Sequence, residues 1–142
     1  MEFNIVSQKI ESKIKEAKNI LLVCHQQPDA DAIGSVVALS DWITSLGKKH
    51  TKFCKDPAPA ALSWIAGFEN FETKVGHILE QEFDLLIVVD SGDLEYAALD
   101  RILEYFTKLP FIINIDHHAT NKMYGDINVV DIMGNQWLLR NH

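Results

Sequence analysis

Three short clusters in this sequence hold histidines and aspartates at spacings suited to cation binding. They are His25-Gln26-Gln27-Pro28-Asp29-Ala30-Asp31, then Asp90-Ser91-Gly92-Asp93, then Asp116-His117-His118. Imidazole nitrogen combined with carboxylate oxygen suits manganese, with magnesium, iron or cobalt as alternatives, and excludes a thiolate site. Asp29 and Asp31 are two positions apart and would not share a helix face. A turn stiffened by Pro28 instead lets them point apart and serve two neighbouring ions. A lone Asp before a helix is ordinarily its cap, but capping leaves His25 and the second Asp unexplained.

Asp90 directly follows an aliphatic run, and a carboxylate at a central strand end can bridge two ions through its two oxygens. Asp93 reads instead as the cap of a following helix. In the third cluster adjacent side chains diverge, so one histidine can bind metal while the other faces substrate. Asp116 can orient its neighbours, because metal-bound imidazoles usually pass their second nitrogen to a carboxylate or carbonyl. His50 and His77 have no such company and read as surface or structural residues.

The elements around these clusters explain how they would meet. Ile20–Cys24, Leu85–Val89 and Phe111–Ile115 are short apolar runs, the pattern of strands buried on both faces, and they stop at His25, Asp90 and Asp116. Helical spacing predicts helices over about 5–17, from Ile33 to Leu46 with Gly47 at its end, and from about Leu94 to Phe106. Thr51–Cys54 reads as a further strand, and Ala60–Ile65 fits no element clearly. Alternating strands and helices predict an α/β fold, a mainly parallel sheet with helices on both faces. In such sheets ligands bind beyond the carboxyl ends of the strands, where the three clusters would converge.

Composition narrows the partners. The chain has 142 residues, 13 basic against 20 acidic side chains and a formal charge of -7. That length suits one domain, and the charge argues against stable binding to duplex DNA. A small phosphate substrate fits better, since bound cations reverse the sign of a carboxylate cluster. Cys24 and Cys54 form no C-x-x-C pair and read as reduced, small apolar residues. No secretory leader or membrane span is recognisable, which makes a cytoplasmic location and no membrane partner the expectation. Gly34-Ser35 can bring backbone N–H groups toward a phosphate at a helix start, without the Gly-Lys-Ser/Thr of a nucleotide loop.

The motifs His-x-x-Pro-Asp-x-Asp-Ala-Ile-Gly-Ser, Val-Asp-Ser-Gly-Asp and Ile-Asp-His-His, in this order, resemble the DHH phosphoesterase family. The likeness is strongest to its oligoribonuclease and pAp-phosphatase branch, and it runs from about Ile10 to Asp131, including Tyr124–Asp131. It implies that His25, Asp29 and Asp90 hold one metal and that Asp31, Asp90 and His117 hold the other. His118 would contact the scissile phosphate, with Asp116 supporting the pair. Two divalent cations, manganese first with magnesium or cobalt as alternatives, would activate a water against a phosphate ester of a short oligoribonucleotide or of pAp. The resemblance also leaves room for a homodimer. Ala30 stands where many relatives have glycine, which leaves the ligands intact.

The family usually continues after Asp131 with a Ser/Thr-rich turn, a helix, another metal-binding aspartate and a smaller substrate-binding domain. Here residues 132–142 diverge, which suggests truncation or a change of reading frame near Ile132. The resemblance therefore implies a domain over 1–131 that is incomplete at its C-terminal end, a divergent tail, no substrate-binding domain and impaired activity. His142 is a chain-end residue rather than a ligand. Cleavage of cyclic or linear dinucleotides is the nearest alternative activity, and inorganic pyrophosphate is another substrate to weigh. A single-strand DNA exonuclease fits the first motif less well. A non-catalytic metal- or nucleotide-binding remnant is the reading from a different class.

Overall fold

The computed structural model describes residues 2–131 and 137–141. The runs Ile20–Cys24 and Leu85–Val89 have no polar side chain to turn toward water, so each needs cover on both faces. They form β1 (Ile20–Cys24) and β3 (Leu85–Val89), with every residue buried. With β2 (His50–Phe53), β4 (Phe111–Asp116) and β5 (Ile127–Asp131) they make a parallel set, and β6 (Trp137–Asn141) pairs antiparallel to β5. The strand order is β2-β1-β3-β4-β5-β6. The expected α/β class is therefore the observed one.

Two helices cover one face of the sheet. α1 (Glu2–Glu16) contributes Val6, Ile10 and Ile14, and α2 (Ala30–Ser45) contributes Ile33, Val36, Val37 and Ile43. They pack on Ile20, Leu22, Leu85, Ile87, Val89, Ile127 and Val129. The alternate strand residues Leu21, Val23, Leu86 and Val88 turn to the other face, where Ile78 of the short α3 (Val75–Leu79), Phe83, Ala97, Leu99 and Ile102 cover them. Gly47, at φ 73, ends α2, and the Lys48 N–H donates to Ile43 O at 3.2 Å. Cys24 and Cys54 are free thiols buried in this core. Among the described residues no helix is long and apolar enough to cross a membrane.

The helix expected from Leu94 to Phe106 does not form. Turns occupy its first half, and a 3-10 helix spans Ile102–Tyr105. The reason is packing: Ala97 and Leu99 are both fully buried against the same core cluster. Residues two apart on an α-helix point away from each other. Ala98 resolves the conflict with φ 60, a left-handed conformation that interrupts the helix. Ala60–Leu62 is one 3-10 turn. Residues 137–141 form a strand that the sequence reading did not assign. Residues 132–136 and His142 lie outside the described residues.

Buried amides join the loop before β5 to the end of β4. The Asn114 amide donates to Asn128 Oδ1 at 2.9 Å and to Asn121 Oδ1 at 2.6 Å, and Gly125 N donates to Asn128 Oδ1 at 2.8 Å. Gly125 permits this approach, because a Cβ there would lie 2.6 Å from Ile127 O and 3.0 Å from Asn114 N. Gly125→Ala is therefore expected to destabilise the chain by about 1–3 kcal/mol, the usual cost of overpacking. Denaturant unfolding checks this; a change within about 0.5 kcal/mol, typical of an unconstrained surface site, would contradict it.

Candidate metal centre

Strand register brings the residues just past β1 and β3 and the last residue of β4 to one line. Cys24 pairs with Val89, and Val89 with Ile115. The next residues, His25, Asp90 and Asp116, are therefore abreast at the carboxyl edge of neighbouring strands, which lie about 4.8 Å apart. All three are buried, at 6 %, 7 % and 5 % exposure. Asp90 adopts φ 58, a left-handed conformation that costs a non-glycine residue energy and that aspartate tolerates better than most.

The two oxygens of Asp90 face different partners. Oδ1 lies 2.7 Å from His117 Nε2 and 3.9 Å from His118 Nδ1, while Oδ2 lies 3.3 Å from His25 Nε2. Two groups of potential ligands thus share this carboxylate: His25, Asp29 and Asp90 on one side, and Asp90, Asp116, His117 and His118 on the other. His25 Nδ1 lies 2.5 Å from Gln26 O. A carbonyl only accepts, so Nδ1 carries the proton and Nε2 presents a lone pair toward Asp90 and, at 3.8 Å, Asp29 Oδ1. Acceptor atoms converging on one point call for positive charge between them. A nitrogen and oxygen donor set without thiolate fits a divalent cation such as manganese.

Asp29 is the cap of the following helix, and it also faces His25. Its Oδ1 accepts from Ala32 N at 2.9 Å as the cap of α2, and the same atom faces His25. Such a cap is worth about 1 kcal/mol. Asp31 sits exposed on the first turn of α2 and belongs to neither ligand group, although its charge reaches His117. Asp93 Oδ1 accepts from Tyr96 N at 2.6 Å, so it caps a turn rather than a helix. Asp116 Oδ1 lies 2.7 Å from His118 Nδ1, and its Oδ2 accepts from Asn121 Nδ2 at 2.8 Å. Away from the cluster, His50 Nε2 lies 2.6 Å from Ser40 Oγ. His77 has an acidic partner that sequence reading missed, Glu72 at 2.6 Å, and stays exposed.

Sequence reading also missed Asn121 and Tyr96. Asn114, a polar residue inside an apolar run, was the signal for the amide network that holds Asn121. Nothing in the sequence marked Tyr96, whose ring stacks on His25 with centroids 4.8 Å apart and planes 3° from parallel. A cavity of about 950 Å³ opens beside Asn19, Asp84, Pro110 and Asp126, at the opposite ends of the strands, and contains none of the cluster residues. Volume is therefore a poor guide to the chemistry of this molecule.

An α/β domain with acidic residues and histidines grouped past its parallel strand ends defines the class, and comparison with known proteins gives the family. The family model described as the DHH family, N-terminal domain, matches residues 19–135, and the chain belongs to that family. It is 34 % identical over 120 residues to a probable bifunctional oligoribonuclease and PAP phosphatase NrnA of Streptococcus mutans, covering 84 % of this chain and 36 % of that protein. It is 33 % identical over 112 residues to the bifunctional oligoribonuclease and PAP phosphatase NrnA of Thermus thermophilus, covering 79 % of this chain and 32 % of that one. The chain thus spans about a third of the length of these curated relatives. A crystal structure of an exopolyphosphatase-related protein from Bacteroides fragilis shares the fold, with a TM-score of 0.81 at 22 % identity over 89 % of this chain and 38 % of that one.

Desolvation works against a charged imidazole at His117, but the hydrogen bond and charge of Asp90, with Asp116 and Asp31 behind it, outweigh that and raise its pKa above 6.5. A raised folded-state pKa adds stability that is complete below the unfolded value and disappears as pH rises through the folded one. In chain stripped of metal by a chelator, NMR titration is expected to place His117 above 6.5. Asp90→Asn should lower that midpoint, since an amide supplies no charge. A midpoint at or below the ordinary value, or one that Asp90→Asn leaves in place, would contradict this account of the cluster.

Proposed function

We propose that this chain is the metal-binding domain of a phosphoesterase that hydrolyses phosphate esters of short oligoribonucleotides or of 3',5'-phosphorylated adenosine. The observation that carries the reading is Asp90, one buried carboxylate whose oxygens divide between His25 and His117. The names of the two curated relatives support the substrate class.

His25, Asp29 and Asp90 are assigned to one divalent cation, and Asp31, Asp90 and His117 to a second. Asp31 is exposed on the first turn of α2, so side-chain rotation is the adjustment this assignment asks of it. Manganese is the first candidate, with magnesium and cobalt as alternatives. When bound, such a pair supplies Lewis acidity and makes water nucleophilic at neutral pH.

The chain's own residues do the rest. Asp116 holds His118 through Nδ1, which leaves Nε2 of this half-exposed ring to donate a hydrogen bond to phosphate or a proton to the leaving oxygen. The exposed α2 start adds backbone N–H groups that favour an anion. Closing over the nucleotide is assigned to a separate C-terminal portion, because positioning can supply about 7–11 kcal/mol toward a barrier.

The test is manganese-dependent release of mononucleotide from di- to pentaribonucleotides, and of phosphate from pAp. Turnover is expected to be weak in the 142-residue chain and at least about tenfold faster when the chain is extended with the C-terminal portion of the Thermus relative. Asp90→Asn should abolish turnover in both. Equal turnover by the Asp90→Asn variant and its parent would refute the proposed site.

A further inference from the structure

Tyr96 is a large aromatic residue left 46 % exposed, so burial of its own surface does not account for its placement. Its closest ring contact is the stack on His25, parallel to within 3° at 4.8 Å. Two hydrogen bonds tie the same segments together: Gln26 N donates to Tyr96 O at 2.8 Å, and Gln26 Nε2 donates to Glu95 O at 3.1 Å. Asp93 fixes the far side of this turn by accepting from Tyr96 N at 2.6 Å. Among the described residues the phenol oxygen of Tyr96 makes no hydrogen bond, so the contribution of this side chain is its ring face.

An imidazole has two torsions, and only one of its nitrogens is anchored here, by Gln26 O at 2.5 Å. Rotation about the outer torsion would swing Nε2 away from Asp90 Oδ2 and Asp29 Oδ1. A parallel ring stacked on the imidazole face blocks that rotation, and the hydrogen bonds from Gln26 N and Nε2 hold the blocking ring in register.

We propose that Tyr96 is a positioning residue for His25, holding Nε2 toward the cation shared with Asp29 and Asp90. The proposal rests on the reading of His25 as a ligand. It assigns the role to the ring face alone, so phenylalanine should replace tyrosine and an aliphatic residue should not.

Two measurements on the full chain test it, with manganese as the only added probe. In chelator-treated protein, the stack should shift the carbon-bound imidazole protons of His25 upfield. Tyr96→Phe should keep that shift and Tyr96→Leu should lose it, while both keep the parent's thermal midpoint because the ring is half exposed. In calorimetric manganese titrations, Tyr96→Leu should weaken binding about tenfold, the lower end of what losing an orienting partner of a ligand histidine costs. Tyr96→Phe should bind as the parent does. Loss of the ring shift with unchanged manganese affinity in Tyr96→Leu would overturn the proposal, as would equal weakening in both variants. His25→Ala separates the two levels: if it binds manganese like the parent, the ligand reading itself fails, and if it binds poorly while Tyr96→Leu does not, only the positioning role fails.

Discussion

A carboxylate withdrawn from water at the end of the central strand governs the rest of this molecule. Asp90 is nearly buried, and an ionised carboxylate in such a place is costly unless opposite charge or hydrogen bonds meet it. His117 meets one oxygen and His25 faces the other. Neither imidazole is a permanent cation, and Asp29, Asp31 and Asp116 add further negative charge nearby. The cluster therefore holds more acceptors than positive charge. Divalent cations would remove that imbalance and turn it toward attracting a phosphate.

The sheet makes this arrangement affordable by being rigid on both faces. Alternate residues of β1 and β3 fill two separate core clusters, so neither strand can slip without exposing apolar side chains. That fixed register sets His25, Asp90 and Asp116 side by side, and the adjoining loops only adjust the side chains. The turn after Asp93 holds His25, and the turn that carries Asn121 holds Asp116, which in turn holds His118. Strain at Asp90, with its positive φ, is sustained by packing elsewhere.

What could be read from sequence was what a continuous apolar run and its terminal residue encode. Ile20–Cys24, Leu85–Val89 and Phe111–Ile115 announced strands, the first two fully buried and the third in part, and the polar residues after them announced the edge where chemistry gathers. The region from Leu94 to Phe106 misled because helical spacing does not register the left-handed Ala98, which turns Ala97 and Leu99 to the same side. The five-residue α3 is too short for its spacing to stand out. Contacts between distant segments left little local trace: the stack of Tyr96 on His25, Asn114 bonded to Asn121 and Asn128, and Glu72 beside His77. Asp31 shows the opposite limit, since its place in a motif does not fix the rotation of an exposed side chain.

The central claim is that one carboxylate serves two cations, and the most direct measurement of it is crystallographic. Crystals of the chain grown with manganese, recorded at the manganese absorption edge, should give two anomalous peaks per molecule, about 3.5–4 Å apart as in other two-metal sites. The peak nearer His25 should be bound by Asp90 Oδ2 and the peak nearer His117 by Asp90 Oδ1. A single peak, or two peaks of which Asp90 binds only one, would contradict the account.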